Sequence, residues 1–387
     1  MTGRDSTPDE NLGLEQFQLV GPPPVLFEGW HLPRKQTVRR AQWSLPLKTL
    51  VEGFPPGQPI KYLGLPGPDL LDVRELVNAV CVTEDRRLAF LGFVKSALAG
   101  EPGHEMLNTS LSTVLRSPLV MAESQVLPDD IYYLADRSSV AWGQAEQLGT
   151  YDFVNFDLCE PALGRDHSTP RNIYGALHGV FDLQSRRSEP WLLALTSRID
   201  RLSFSGSTFA RLFSLFDKNR RECETFARSV TRIDPSLAEA DEAGVELVDG
   251  MIFFRLAALL ACKWILDLCS QTRCKLRLIN SAGYRVYERA DLDMLSLTLR
   301  VEPQYDLRPD SAGLARPMVG LDECALASAI ADRLLRLTDL DEFLVQNPGM
   351  QDDALRQSVD LMVAASYPRD AYLDWLKERG VEIAAML

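Results

Sequence analysis

Carboxylates that close apolar runs are weighed first, because an ionised side chain against a hydrophobic core is costly unless it is paired or used. Asp157 closes the run Tyr151-Asp-Phe-Val-Asn-Phe-Asp157, and Glu160 follows closely enough to serve with it as a second acid or base. Asp136 closes Ile131-Tyr-Tyr-Leu-Ala-Asp136. Gly64-Leu-Pro-Gly67, followed by Asp69 and Asp72, offers a different chemistry. Glycines let a backbone approach a ligand closely, and the start of the next helix presents unpaired N–H groups. His167, in the loop after Asp157, is a candidate general base.

A second cluster is basic. Arg34, Lys35, Arg39 and Arg40 lie within seven residues, just ahead of Trp43, on a chain of net charge -13. On a helix, Lys35, Arg39 and Gln42 share a face. Phosphate contacts by Lys35, Arg39 and Arg40, with Trp43 stacking on a base, would suit a nucleic-acid strand. The same cations would equally suit the acidic body of the protein or a partner subunit. The net charge excludes a protein coated in positive charge for non-specific nucleic-acid binding, while leaving room for a local basic patch.

These residues need elements to hold them. Apolar runs at 60–65, 87–94, 131–136, 151–158 and 191–196 alternate with helical stretches, the pattern of βαβ units in a parallel sheet buried on both faces. Segments 274–288 and 294–301 read as a hairpin that finishes the sheet with antiparallel strands. The spacing therefore predicts an α/β fold, a Rossmann-like mostly parallel sheet with antiparallel terminal strands. Residues 1–24 read as a flexible lead-in ending in three prolines. Residues 25–59 form a helical and linker prefix with a helix from Arg34 to about Trp43. Residues 60–302 form the α/β domain, and 303–387 a helical C-terminal extension. In an open α/β sheet, ligands sit outside the carboxyl ends of the strands, which is where the candidate acids fall.

Seven scattered cysteines without a CxxC pair argue for structural thiols in a reducing cytoplasm and against a zinc site or a disulfide framework. The polar N-terminus has no apolar signal segment. The most apolar helix, about 251–268, is interrupted by Arg255, Lys263 and Asp267, so it reads as a core helix and no membrane contact is expected.

From Ile60 to Val301 the strand order and strand-end chemistry resemble the class I S-adenosylmethionine methyltransferases. The resemblance implies that Gly64 and Gly67 cradle the amino-acid part of S-adenosylmethionine. It further implies that Asp136 approaches the adenine amine, and that Asp157 to Pro161 lies beside the methyl donor with Asp157 and Glu160 catalytic. A helical prefix like 34–43 occurs in some members. The chain departs from the family at two places: no acid precedes the Gly64 turn, which has one glycine fewer, and the second strand ends Gly92-Phe-Val-Lys95 where an acid holds the ribose. The expected activity is methyl transfer to a nucleic acid or another polar acceptor. The alternative is a catalytically inactive Rossmann-like scaffold binding a partner protein in a multi-subunit complex.

Overall fold

The computed structural model describes residues 27–95, 102–241, 250–286, 291–304 and 321–383. The expected lead-in, 1–24, lies outside them. Apolar runs form β1 (Ile60–Gly64), β2 (Leu88–Phe93), β4 (Phe153–Asp157) and β5 (Trp191–Arg198), while the short β3 is Gln125–Leu127. All five run parallel. β6 (Cys274–Tyr284) and β7 (Met294–Pro303) form the expected antiparallel pair, and β7 inserts between β5 and β6, antiparallel to both. A two-residue β8 (Thr338–Asp339) from the C-terminal extension joins the far edge beside β6. The order β3-β2-β1-β4-β5-β7-β6-β8 is the expected Rossmann-like, mostly parallel sheet with an antiparallel pair. It reverses direction between β1 and β4.

One expected strand is corrected. Ile131–Ala135 is a 3-10 helix, opened by the Asp130 carboxylate accepting from the Tyr132 N–H. Its buried residues are Ile131 and Leu134, three apart, where a strand would alternate. Asp136 therefore follows a helical turn, not a strand.

Alternate strand residues feed two apolar layers. Leu63, Val154, Phe156, Leu193 and Leu195 face the layer built by helices Ile173–Gln184, Gly206–Glu222 and Gly250–Gln271. Tyr62, Phe153, Leu192 and Ala194 face the layer that holds the prefix. Cys223 and Cys324, 101 residues apart, form a disulfide between helical segments of the first layer, correcting the expectation that all seven thiols are free. No described helix is long and apolar enough to cross a membrane.

The prefix is longer than the predicted helix. Pro33 opens an α-helix over Pro33–Thr37, which widens to a π-helix over Val38–Ser44 and returns to α over Leu45–Val51. Pro46 has no N–H to offer the Gln42 carbonyl, and that carbonyl instead accepts from Thr298 Oγ1 of β7 at 2.7 Å. Asn280 of β6 donates to the Ala41 carbonyl at 3.2 Å. From the other side, Leu355, Val359 and Met362 of helix Pro348–Ala364, with Tyr372 and Leu376 of helix Arg369–Glu378, pack on Leu32 and Leu71. The Tyr372 hydroxyl donates to the His31 carbonyl.

If the C-terminal helices clamp the prefix, Leu355→Ala should cost about 2–5 kcal/mol, the usual range for a buried leucine, and should raise amide exchange in 29–51 as well as in 348–378. Hydrogen-exchange mass spectrometry checks this; a prefix as protected as in the wild type would mean that the clamp is not needed.

Candidate functional site

At the strand-order reversal, the prefix lays its cations on four carboxylates. Lys35 Nζ lies 2.5 Å from Asp157 Oδ1 at the end of β4, 3.4 Å from the Tyr284 hydroxyl and 4.7 Å from the Trp43 ring centroid. Arg39 Nε meets Asp72 Oδ1 at 2.8 Å and its Nη1 donates to the Trp30 carbonyl. Glu75 accepts from Gln36 at 2.8 Å and pairs with Arg40 at 3.2 Å. His31 Nδ1 accepts from the Glu28 N–H, which puts the ring proton on Nε2, 2.8 Å from Asp69 Oδ2. Asp69, Asp72 and Glu75 belong to the turn and helix after β1 (helix Leu71–Leu76), so three of the acids come from one short stretch of chain.

Beneath these pairs the structure leaves buried polar atoms without a hydrogen-bond partner: the Tyr62 hydroxyl, both amide atoms of Asn155, Asp72 Oδ2, Gln36 Oε1, Gln42 Oε1 and Trp43 Nε1. Such atoms are rare in native proteins and call for a water or ligand when they gather in one place. A cavity of about 230 Å³ opens above, lined by Trp30, Lys35, Asp157, Cys159, Tyr284 and Arg379 among others. Among the described residues no group of His, Cys, Asp and Glu is arranged to hold a metal ion.

The electrostatics follow from burial and pairing. Burial penalises the Lys35 ammonium, but Asp157, Tyr284 and Asp72 outweigh that cost and raise its pKa, so Lys35 acts as a cation and not as a base. Burial, reinforced by Asp157 and opposed by Arg39 and Lys35, raises Asp72 to about 6. The Tyr284 hydroxyl is pushed up to about 12 by burial, against the pull of Lys35. Cys159 is an exposed residue at the cavity, and desolvation of its thiol, with Asp157 beside it, pushes the pKa up to about 11, which keeps it a poor nucleophile.

Of the residues expected from the sequence, Asp157 stands in this site. Glu160 is exposed and accepts from the Tyr132 hydroxyl at 2.9 Å. Gly64 ends β1, where a Cβ would come within 2.5 Å of the Tyr62 hydroxyl and 2.7 Å of the Asn155 carbonyl; protein atoms occupy that side. Gly67 has φ +72 and supplies the left-handed residue of the turn. Asp136 lies elsewhere: hydrogen bonds from Ser138 and Arg171 hold its carboxyl down at about 2, on an exposed loop. The expected outward basic face does not form. Lys35, Arg39 and Trp43 are 4%, 4% and 1% exposed, because each finds a buried partner or the apolar layer, and of the four cations Arg34 and Arg40 are partly open to solvent. Tyr62, Asn155, Tyr284 and His31 join the site without having been singled out. The signal for Asn155 was present, a carboxamide inside Phe153-Val-Asn-Phe156.

A family model described as PP_RS20740-like matches residues 24–377. No curated protein matches. Among solved structures, that of the plantazolicin methyltransferase BpumL in complex with SAH is similar to 70% of this chain and 85% of its own, at 10% identity and a TM-score of 0.31. An overlap this loose transfers no residue and no ligand.

Two measurements test the buried network. Lys35→Ala strands Asp157 and should cost about 3–5 kcal/mol, whereas Arg40→Ala removes a partly exposed cation and should cost less than about 1 kcal/mol; equal losses in urea melts would contradict a buried pair at Lys35. The second concerns pH. Folded Asp72 binds its proton more tightly than the unfolded residue, whose pKa is about 3.9. Its contribution to stability is fully present below about pH 4 and is lost as pH rises through about 6. Asp72→Asn cannot titrate, so the wild type should lose stability relative to this variant between pH 4 and 7. A relative gain over that interval would reverse the assignment.

Proposed function

We propose that this chain, which belongs to the PP_RS20740-like family, transfers a methyl group from S-adenosylmethionine to a small polar acceptor held at Asp157. The observation that carries the reading is the Lys35–Asp157 pair on the wall of a cavity, above unmet buried polar atoms, where the strand order reverses. A protein needing only stability would gain as much from apolar side chains there, since a buried ion pair roughly breaks even against them. Buried charges with perturbed pKa values gather at functional sites.

On this reading the amino-acid side of the cofactor belongs at the turn after β1. The positive-φ turn at Gly67, the start of the following helix and the strand-end carboxylate of Asp157 are the groups that would hold it. On the sugar side the chain offers Lys95, paired with Asp130 at 3.1 Å, in place of an acid. Gly92 of β2 has no Cβ because the Pro66 ring leans over it, 2.8 Å from where that atom would stand. When bound, the cofactor supplies an electrophilic methyl on a sulfonium. Lys35 orients the Asp157 carboxylate, and Asp157 accepts the hydrogen bond of the acceptor's hydroxyl or amine. The Trp30 and Tyr284 walls limit how the acceptor lies. Methyl transfer is an in-line displacement, so this positioning is the main catalytic contribution open to the protein. A cavity of about 230 Å³ admits a small group or the tip of a larger molecule. Lys35, Arg39 and Trp43 are already engaged inside the fold, so segment 34–43 does not offer them to a nucleic-acid acceptor.

A partner-binding scaffold without catalysis is the second reading, favoured by Lys95 standing where an acid would hold the ribose. Calorimetric titration with S-adenosylmethionine separates the two. Binding is expected for the wild type, and absence of heat up to about millimolar ligand would leave the scaffold. Lys95 is exposed and its pair with Asp130 contributes little to stability. Lys95→Glu should therefore fold normally and tighten the cofactor by about tenfold, the lower end for a hydrogen bond to a charged group.

A further inference from the structure

A larger cavity lies in the other apolar layer, away from the Lys35 site. It measures about 710 Å³, within the range of roughly 300–1,000 Å³ typical of small-molecule sites. Its wall is mixed: the rings of Tyr174 and Trp264 meet edge-to-face at 4.6 Å and Leu212 and Leu215 come from helix Gly206–Glu222, while Asp166, Asn172, Ser207, Thr208 and Ser214 line the rest. One charged group on the lining is unspent, and one polar atom lies sealed behind it. His167 Nε2 is shielded from solvent and has no hydrogen-bond partner. Arg211 forms no ion pair among the described residues and is exposed at the cavity. The first N–H groups of helix Gly206–Glu222 are already taken, because the Asp166 carboxylate accepts from Ser207 N at 3.1 Å and Thr208 N at 2.6 Å. Any anion bound in the cavity must therefore be met by Arg211 and not by the helix end.

The geometry points to a binding site for a planar aromatic acid: a ring set against Trp264, Tyr174 and Leu215, with its anionic group on Arg211. An aromatic edge beside a cation that has no ion-pair partner among the described residues selects this class over an aliphatic acid, which gains nothing from the rings, and over a neutral arene, which leaves Arg211 unused. The inference is independent of the methyl-transfer reading, since it uses none of that site's residues.

Indole-3-acetate and its uncharged amide, indole-3-acetamide, are suitable probes, followed by saturation-transfer NMR and calorimetry on the full chain. The wild type should bind the acid about tenfold more tightly than the amide. Arg211→Gln, at an exposed position that leaves the fold intact, should bring the acid down to the level of the amide and leave the amide unchanged. Leu215→Glu should set a like charge against the acid and abolish its preference over the amide, with an unchanged melting temperature as its control. Equal affinity of the wild type for acid and amide, no binding of either at about 10 mM, or an undiminished preference for the acid in Leu215→Glu would each overturn the assignment.

Discussion

An ammonium group sealed inside a fold has to be met by a carboxylate, and for Lys35 that carboxylate is Asp157 at the end of β4. Much of the remaining architecture keeps those two groups together. The prefix reaches the strand ends only because its helix widens around Pro46 and hands the Gln42 carbonyl to Thr298 of β7. It stays there because the C-terminal helices close over Leu32 and Tyr372 bonds His31. Arg39 on Asp72 and His31 on Asp69 repeat the same solution along the helix after β1. The segment that looks dispensable in a linear map, ahead of the first strand, is thus tied to β4, β6, β7 and the C-terminus at once.

The arrangement has an electrostatic consequence. Carboxylates gathered at a strand-order reversal form a ready site for a cationic or hydrogen-bonding ligand. Here the chain supplies its own cations to most of them, and the remaining capacity is concentrated in a few places: Asp72 Oδ2, the Asn155 amide, the Tyr62 hydroxyl and the Asp157 side of the cavity. Burial, reinforced by Asp157, raises the Asp72 pKa even with Arg39 in contact, and desolvation with Asp157 beside it keeps the thiol of Cys159 protonated. Neither the cysteine nor the lysine of this pocket is poised as a nucleophile, and Asp157 is the carboxylate that faces the cavity.

Most of the sheet was legible. β1, β2, β4, β5 and most of β7 are apolar runs, as strands buried on both faces must be, while β6 opens with the alternation Cys274-Lys-Leu-Arg-Leu278 of a strand with one open face. The third strand was misread because Ile131-Tyr-Tyr-Leu has strand composition but helical spacing, and the capping bond from Asp130 decides between them. That error moved Asp136 from a strand end to an exposed loop, along with the adenine contact assigned to it. The Cys223–Cys324 bond was invisible for another reason: a separation of 101 residues leaves no local spacing to read.

By itself the sequence determined the class of fold, the acid at the end of β4, the glycine turn after β1 and the density of cations at 34–40, because each depends on residue type and short-range spacing. What the cations do was decided by tertiary structure alone. Four charges on a short helix have the same local pattern whether they face phosphates or buried carboxylates, and only the packing of the prefix against β4, β7 and the C-terminal helices turned Lys35 and Arg39 inward. Desolvation and pairing energies arise between segments distant in the chain, here 122 residues apart for Lys35 and Asp157, so no reading of neighbours along the chain contains them.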